Sequence, residues 1–246
     1  PVSLAFALHQ APTLASGVIA TRAGALLASA DTLLITVRGR GGHASMPHHA
    51  LDPIPIACEI VMALQAMVTR RVDAFDPAVV TVARIQAGTT SNVVPETAEL
   101  FGTIRAVSER TRKDVLEHVR RLAEGIAVAH GAEAEVHLEA GYPVTVNDTD
   151  AAGFVLDTAG AILGDRATLR LPTPFMGAED WSYVLQQVPG CMAFLGTAPS
   201  GGGQVAPNHS NRMVLDESAM TAGIATYAAV ALRWLDRDRK DPPSAP

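Results

Sequence analysis

Asp31-Thr32-Leu33-Leu34-Ile35-Thr36-Val37-Arg38-Gly39-Arg40-Gly41-Gly42-His43-Ala44-Ser45-Met46-Pro47 is the stretch whose reading decides the fold. A strand is expected from Thr32 to Arg38, its residues β-branched or apolar as far as Val37. The glycines that follow end the strand at a corner that displays one imidazole, His43. Downstream, a helix is expected over Asp52 to Arg71, with Pro53 and Pro55 in its opening turn and Ile56, Ile60, Ala63, Leu64 and Met67 at core spacing. Strands follow at Ala78 to Ala87 and Ala98 to Val107, then a helix from Ser108 to His130 and a strand from Ala134 to Glu139. In the second helix Ser108 is the N-cap, Val115, Leu116, Val119, Leu122 and Ile126 share a face, and Gly131 is the stop. Strand, helix, strand, strand, helix, strand is the order of a ferredoxin-like sandwich, four strands with two helices on one face.

The flanks follow another pattern. Residues 1 to 30 read as strands and turns of a larger sheet, with a core strand from Val2 to Leu8, a run from Gly17 to Thr21 and a turn near Gly24. Residues 146 to 235 read as a helix from Asp150 to Leu163, a loop from Met176 to Asp180, a short helix from Trp181 to Val188, a strand from Cys191 to Leu195 and a last helix from Glu217 to Leu235. Alternating helix and strand predict an α/β sheet, interrupted by the inserted unit of residues 31 to 145. The charged and Pro-rich tail, residues 236 to 246, is expected to be disordered. Gly201-Gly202-Gly203 has no Lys-Ser or Lys-Thr after it and reads as a connector, not a phosphate loop.

Composition excludes several functions. A net charge of −6 over 246 residues argues against nucleic acid or an anionic membrane as partner, because both need clustered Lys and Arg. The densest basic stretch, Arg110 to Lys113 with Arg120 and Arg121, is interleaved with Glu109, Asp114, Glu117 and Glu124, so it reads as a solvated helix face. No unbroken apolar run reaches the 18 or so residues that a membrane span needs. Cys58 and Cys191 both fall in apolar patterns and are expected to be reduced, buried thiols of a cytoplasmic protein.

His43 alone reads as a solvated turn histidine, but it keeps company in order along the chain. Leu8-His9 precedes it; Ser91-Asn92-Val93-Val94-Pro95-Glu96, Gly102-Thr103-Ile104-Arg105, Met176-Gly177-Ala178-Glu179-Asp180 and Pro207-Asn208-His209-Ser210 follow. From about Leu4 to about Leu235 the chain resembles the metal-dependent N-acyl-amino-acid amidohydrolases: hippurate hydrolases, indole-acetyl-amino-acid hydrolases and, more distantly, aminoacylases and glutamate carboxypeptidases. That family also carries a His-x-Cys-Gly-His-Asp segment and a Glu-Glu pair. Neither is present, so the chain is expected to be the C-terminal portion of a longer enzyme, with little metal binding or activity alone.

The resemblance carries roles residue by residue. His9 and His209, each structural when read in isolation, match metal ligands, and the family site holds two divalent ions of zinc, manganese or cobalt. His43 matches the histidine that reaches into the partner protomer's site to stabilise an oxyanion, the inserted unit being a lid through which a homodimer forms. Asn92 and Arg105 match residues that line the cleft or hold the substrate carboxylate; without the resemblance they are a turn former and a strand charge. Glu179 matches the pocket wall, while its local reading is capping of the helix that follows. His48 and His49 read as solvated turn residues, and His118, His130 and His137 as surface residues. The implied reaction is hydrolysis of an N-acyl or N-aroyl amino acid, hippurate-like. A dipeptidase or carbamoyl-amino-acid hydrolase on the same scaffold, or a non-catalytic dimerisation module, are the alternatives.

Overall fold

The structure, a computed structural model, describes residues 2–200 and 205–240. The chain opens with β1 (Ala5–Ala15), β2 (Ile19–Thr21) and β3 (Gly24–Leu27). It continues through β4 (Asp31–Arg38), the short β5 (Gly42–His43), α1 (Pro53–Arg71), β6 (Ala78–Ala87), the short β7 (Val93–Val94), β8 (Thr97–Ala106), α2 (Glu109–Ala129) and β9 (Glu133–Ala140). It ends with β10 (Thr145–Asn147), α3 (Thr149–Leu163), β11 (Thr168–Arg170), α4 (Trp181–Leu185), β12 (Gly190–Ala198) and α5 (Met220–Lys240). Two compact units result: Leu27–Val144 with Met176–Ala178, and the flanking stretches.

In the first unit β6, β8, β4 and β9 form an antiparallel sheet in that order, the ferredoxin-like arrangement. Strand alternation sends Leu33, Ile35, Val37, Leu100 and Ile104 to one face, where Ile56, Ile60 and Leu64 of α1 and Val115 and Val119 of α2 cover them. Each such side chain contributes roughly 1.5–3 kcal/mol on burial. Both helices start where side chains cap them: Asp52 accepts from the Ile54 amide at 3.0 Å and Ser108 from the Thr111 amide at 3.1 Å. Gly102 is required by close approach, since a Cβ there would lie 2.1 Å from the Thr81 carbonyl oxygen. α1 has the length and hydropathy of a membrane span, yet its Ile56, Ala57, Ile60, Leu64 and Met67 are buried in this core.

Two expectations about this unit are corrected. Arg112 is buried, not on a solvated face: its Nη2 and Nε grip the Asp31 carboxylate at 2.6 and 2.9 Å, and its Nη1 reaches Glu109 at 3.2 Å. Position 112 shares its helix face with the buried residues 115, 119 and 123, so the helical period outranks the local charge pattern. Cys58 is exposed, because the buried stripe of α1 runs through positions 56, 57, 60, 64 and 67 and leaves 58 outside it. Cys191 is buried as expected, and burial pushes its thiol up to about 12.

The second unit is a mixed sheet in the order β1-β12-β2-β11, with β1 parallel to β12 and β2 antiparallel to it. Val155 of α3 and Val230 of α5 pack on Ile19, Cys191 and Leu195 of the sheet. Asn147 fastens the centre: its amide donates to Thr21 Oγ1, Arg22 O and Met192 O, and its Oδ1 accepts from the Met192 amide at 2.8 Å. β1 begins three residues later than Val2 and runs through Pro12 to Ala15, with its register slipping after Ala11 where proline has no amide to offer. α4 ends at Leu185, short of Val188. α5 continues to Lys240, so residues 236–240 of the expected tail are helical, with Arg237 lying over Trp234. Residues 241–246 and the Gly201-Gly202-Gly203 connector lie outside the described residues.

Candidate functional site

The parallel pairing of β1 with β12 sets His9 opposite Phe194, whose ring meets the imidazole edge-on at 6.0 Å. His9 Nδ1 lies 2.7 Å from the Gln10 carbonyl oxygen. A carbonyl only accepts, so Nδ1 carries a proton, and in the neutral ring Nε2 presents its lone pair. That lone pair faces Glu179 Oε1 at 3.6 Å. Two electron-rich atoms so placed repel unless a proton or a cation lies between them. Donors about 2.0–2.2 Å from a tetrahedral zinc are themselves separated by roughly 3.3–3.6 Å, so the observed gap can hold an ion.

The loop of His209 is seated on the same strand. Gln10 Nε2 donates to Asn208 Oδ1 at 2.7 Å, and Thr197 Oγ1 donates to Gln10 Oε1 at 3.1 Å. Next along the loop, His209 has φ 67°, the single non-glycine residue in the left-handed region among those described. Such a conformation costs about 1–2 kcal/mol and concentrates at functional sites. Its imidazole is exposed.

His43 and Asn92 belong to the other unit, where the chain folds into a small platform. An antiparallel bridge between Arg40 and Leu51 closes the base of the loop, His43 pairs with Val93, and the Ala44 amide donates to the Asn92 carbonyl at 3.0 Å. Ser45 donates its backbone N–H to His43 Nδ1 at 3.1 Å. A backbone N–H can only donate, so the ring proton sits on Nε2, leaving an exposed N–H donor. The Asn92 side chain accepts from Thr90 Oγ1 at 2.9 Å. Arg105 is not brought to this platform. It pairs with Val79 near the far end of β8, eight residues or about 26 Å along the strand from Thr97.

Glu179 and Asp180 do not cap α4 with their side chains. Asp180 makes no capping bond, Ser182 Oγ donates to the Glu179 main-chain carbonyl at 2.7 Å, and the Glu179 carboxylate faces His9. His48 and His49 are exposed on a 3-10 turn with ring centroids 4.1 Å apart. His130 is exposed and meets Glu59 at 2.7 Å, and His137 is exposed on β9, while His118 is half-buried. Sequence reasoning missed Gln10, Ser45 and Asn147, polar residues whose importance lies in partners distant or unpatterned in sequence. A polar residue directly after the Leu-His pair was the one signal for Gln10.

The donors present, imidazole nitrogens and a carboxylate, suit a borderline cation such as zinc. Among the described residues no three His, Cys, Asp or Glu side chains converge as a cation site. Residues 28–130 match the family described as a peptidase dimerisation domain. The chain is 36% identical over 237 residues to thermostable carboxypeptidase 2 of Saccharolobus solfataricus, covering 96% of this chain and 59% of that protein. It is 36% identical over 235 residues to N-acetylcysteine deacetylase of Bacillus subtilis, covering 96% and 60%. The crystal structure of the Bacillus subtilis YXEP protein, a dinuclear metal-binding peptidase from the M20 family, superposes with a TM-score of 0.78 at 32% identity, over 96% of this chain and 58% of that one. The chain thus spans about three fifths of the length of the relatives it matches. Through its dimerisation-domain segment, and through relatives aligned along nearly all of its length, the chain belongs to the M20 family of amidohydrolases and peptidases.

Proposed function

We propose that the chain serves in hydrolysing the amide bond of N-acyl amino acids, at a divalent-metal site held in part by His9, Glu179 and His209. The observation that carries this reading is the His9 Nε2 lone pair facing the Glu179 carboxylate at 3.6 Å, beside the loop of a strained, exposed His209. A deacetylase of an N-acyl amino acid among the 36%-identical relatives supports the substrate class. A metal bound there supplies Lewis acidity and activates water. Two donors and a nearby third are fewer than a two-metal site needs, so further ligands and the general base lie outside this set.

The remaining roles fall to this chain's own side chains. His43 donates from Nε2–H to the oxyanion that develops on the scissile carbonyl. Arg105 offers a two-pronged donor to the substrate carboxylate, and Asn92 lines the cleft beside His43. About 26 Å of strand separates Arg105 from the platform end of β8, too far for one N-acyl amino acid to touch both from a single protomer. A homodimer through residues 28–130 resolves this, with His43 and Asn92 working in the partner's cleft.

The test is elemental analysis and turnover of N-acetylcysteine and hippurate with zinc, manganese or cobalt. Bound metal that His209→Ala removes, and a fall of about 10²–10³ in kcat with little change in KM for His43→Ala, is the expected result. Bound metal that His209→Ala leaves in place, or turnover that His43→Ala leaves unchanged, refutes the reading; a folded dimer that binds no metal and turns over neither compound favours the alternative of a dimerisation module.

A further inference from the structure

Gln10 bonds to His9 and to Asn208, the residue that precedes His209, and has no charged group with which to bind a metal itself. Its main-chain carbonyl accepts a hydrogen bond from His9 Nδ1 at 2.7 Å, which keeps a proton on Nδ1 and turns Nε2 outward. Its side chain is held at both ends: Oε1 accepts from Thr197 Oγ1 at 3.1 Å, and Nε2 donates to Asn208 Oδ1 at 2.7 Å. Asn208 answers by donating its Nδ2 to the Gln10 carbonyl at 3.5 Å, and Met213 Sδ lies 3.8 Å from Gln10 Nε2. One residue later the chain enters the left-handed region at His209.

We propose that Gln10 is a positioning residue that couples the two imidazoles, its carbonyl orienting His9 and its side-chain amide seating the loop that carries His209. The pairing spans 198 positions of sequence. It draws the His209 loop onto the middle of β1 through bonds in both directions, from the Gln10 side-chain amide to Asn208 Oδ1 and from Asn208 Nδ2 to the Gln10 main-chain carbonyl. Such a link is directional, since each amide can offer its N–H only where the other offers oxygen. An exposed imidazole on a strained residue has little packing of its own to hold it, so the adjacent amide pair is what limits where it can go. The inference rests on the metal reading for its purpose, but not for its geometry.

The test uses the chain as it is, in wild-type form and as Gln10→Leu, Gln10→Glu and Asn208→Ala. Two readouts are taken: long-range 1H–15N correlations of the imidazole nitrogens, and Co2+ affinity by calorimetry. Gln10→Leu removes the amide at similar volume; Gln10→Glu keeps the acceptor for Thr197 and loses the donor to Asn208. The expected result is a shift of the His209 ring signals in all three variants with those of His43 unmoved, and Co2+ affinity lower by about 10–100-fold, the usual effect of removing an orienting partner of a ligand. Combining Gln10→Leu with Asn208→Ala is expected to cost clearly less than the sum of the two single changes, because both delete the shared Gln10 Nε2 to Asn208 Oδ1 bond.

His209 signals that stay in place in Gln10→Glu and Asn208→Ala overturn the coupling, whatever the metal does. Signals that move in a chain that binds no Co2+ uphold the coupling and refute the metal reading instead.

Discussion

Removing the Arg112 guanidinium leaves the Asp31 carboxylate, 1% exposed, without its main partner. Two charge-assisted bonds at 2.6 and 2.9 Å go with it, and the remaining main-chain donor to Asp31, the Gly141 amide, is 3.4 Å away. Breaking a buried pair by removing one partner costs about 3–5 kcal/mol, and that range is the expected loss for Arg112→Met. Glu109 adds little to it, being 42% exposed and holding its own bond to the Val144 amide. Arg112→Lys keeps a charge but not the fork, for an expected loss of about 1.5–3 kcal/mol. Asp31→Leu combined with Arg112→Met removes both charges and is expected to fall within about 1–2 kcal/mol of the parent. The assay is urea unfolding followed by hydrogen exchange of the Leu33, Ile35, Leu100 and Ile104 amides. Trp181 and Trp234, the two tryptophans, both belong to the other unit, so their fluorescence serves as the internal control. An Arg112→Met loss under about 1 kcal/mol, or a double variant as unstable as the single one, would refute the claim that this pair holds α2 to β4.

Asp76 gives a pH prediction. Its burial raises the carboxyl pKa, but hydrogen bonds from Thr111 at 2.6 Å, Ser108 at 2.7 Å and Arg110 at 3.1 Å outweigh that and hold it below the ordinary 3.8. The folded state binds this proton more weakly than the unfolded one, so the stability it contributes is present above 3.8 and lost as pH falls through the lower folded value. Asp76→Asn should flatten the acid limb of a plot of unfolding midpoint against pH, and an unchanged limb counts against the assignment. In a thiol assay of the native chain, Cys58 is expected to react and Cys191 to wait for denaturant, because burial pushes the Cys191 thiol up to about 12. Two fast thiols would contradict the packing around β12. His209→Gly should raise stability by about 1 kcal/mol in fluorescence-detected urea unfolding, since glycine enters the left-handed region without strain, while Co2+ affinity falls. A loss of stability would mean that the imidazole makes contacts that hold the loop.

The ferredoxin-like unit was legible because its signals are local and periodic. Alternation marked β4, the 3.6-residue repeat marked α1 and α2, and Asp52 and Ser108 marked their starts, each within a few residues of the cause. The chemical classes of the site were legible too, as single histidines in recognisable company. Their arrangement was not. Which nitrogen of His9 faces outward depends on a carbonyl one residue away, and where the His209 loop sits depends on an amide 198 positions away. Folding sets the Glu179 carboxylate against His9 rather than against its helix, and Arg112 turns inward because folding supplies Asp31 as its partner. Sequence by itself determined the elements, since backbone hydrogen bonding and side-chain alternation act over a few residues. Tertiary structure alone decided the ring orientations, the strained conformation of His209 and the separation of Arg105 from His43, since these depend on the register of strands that meet only when the chain is folded.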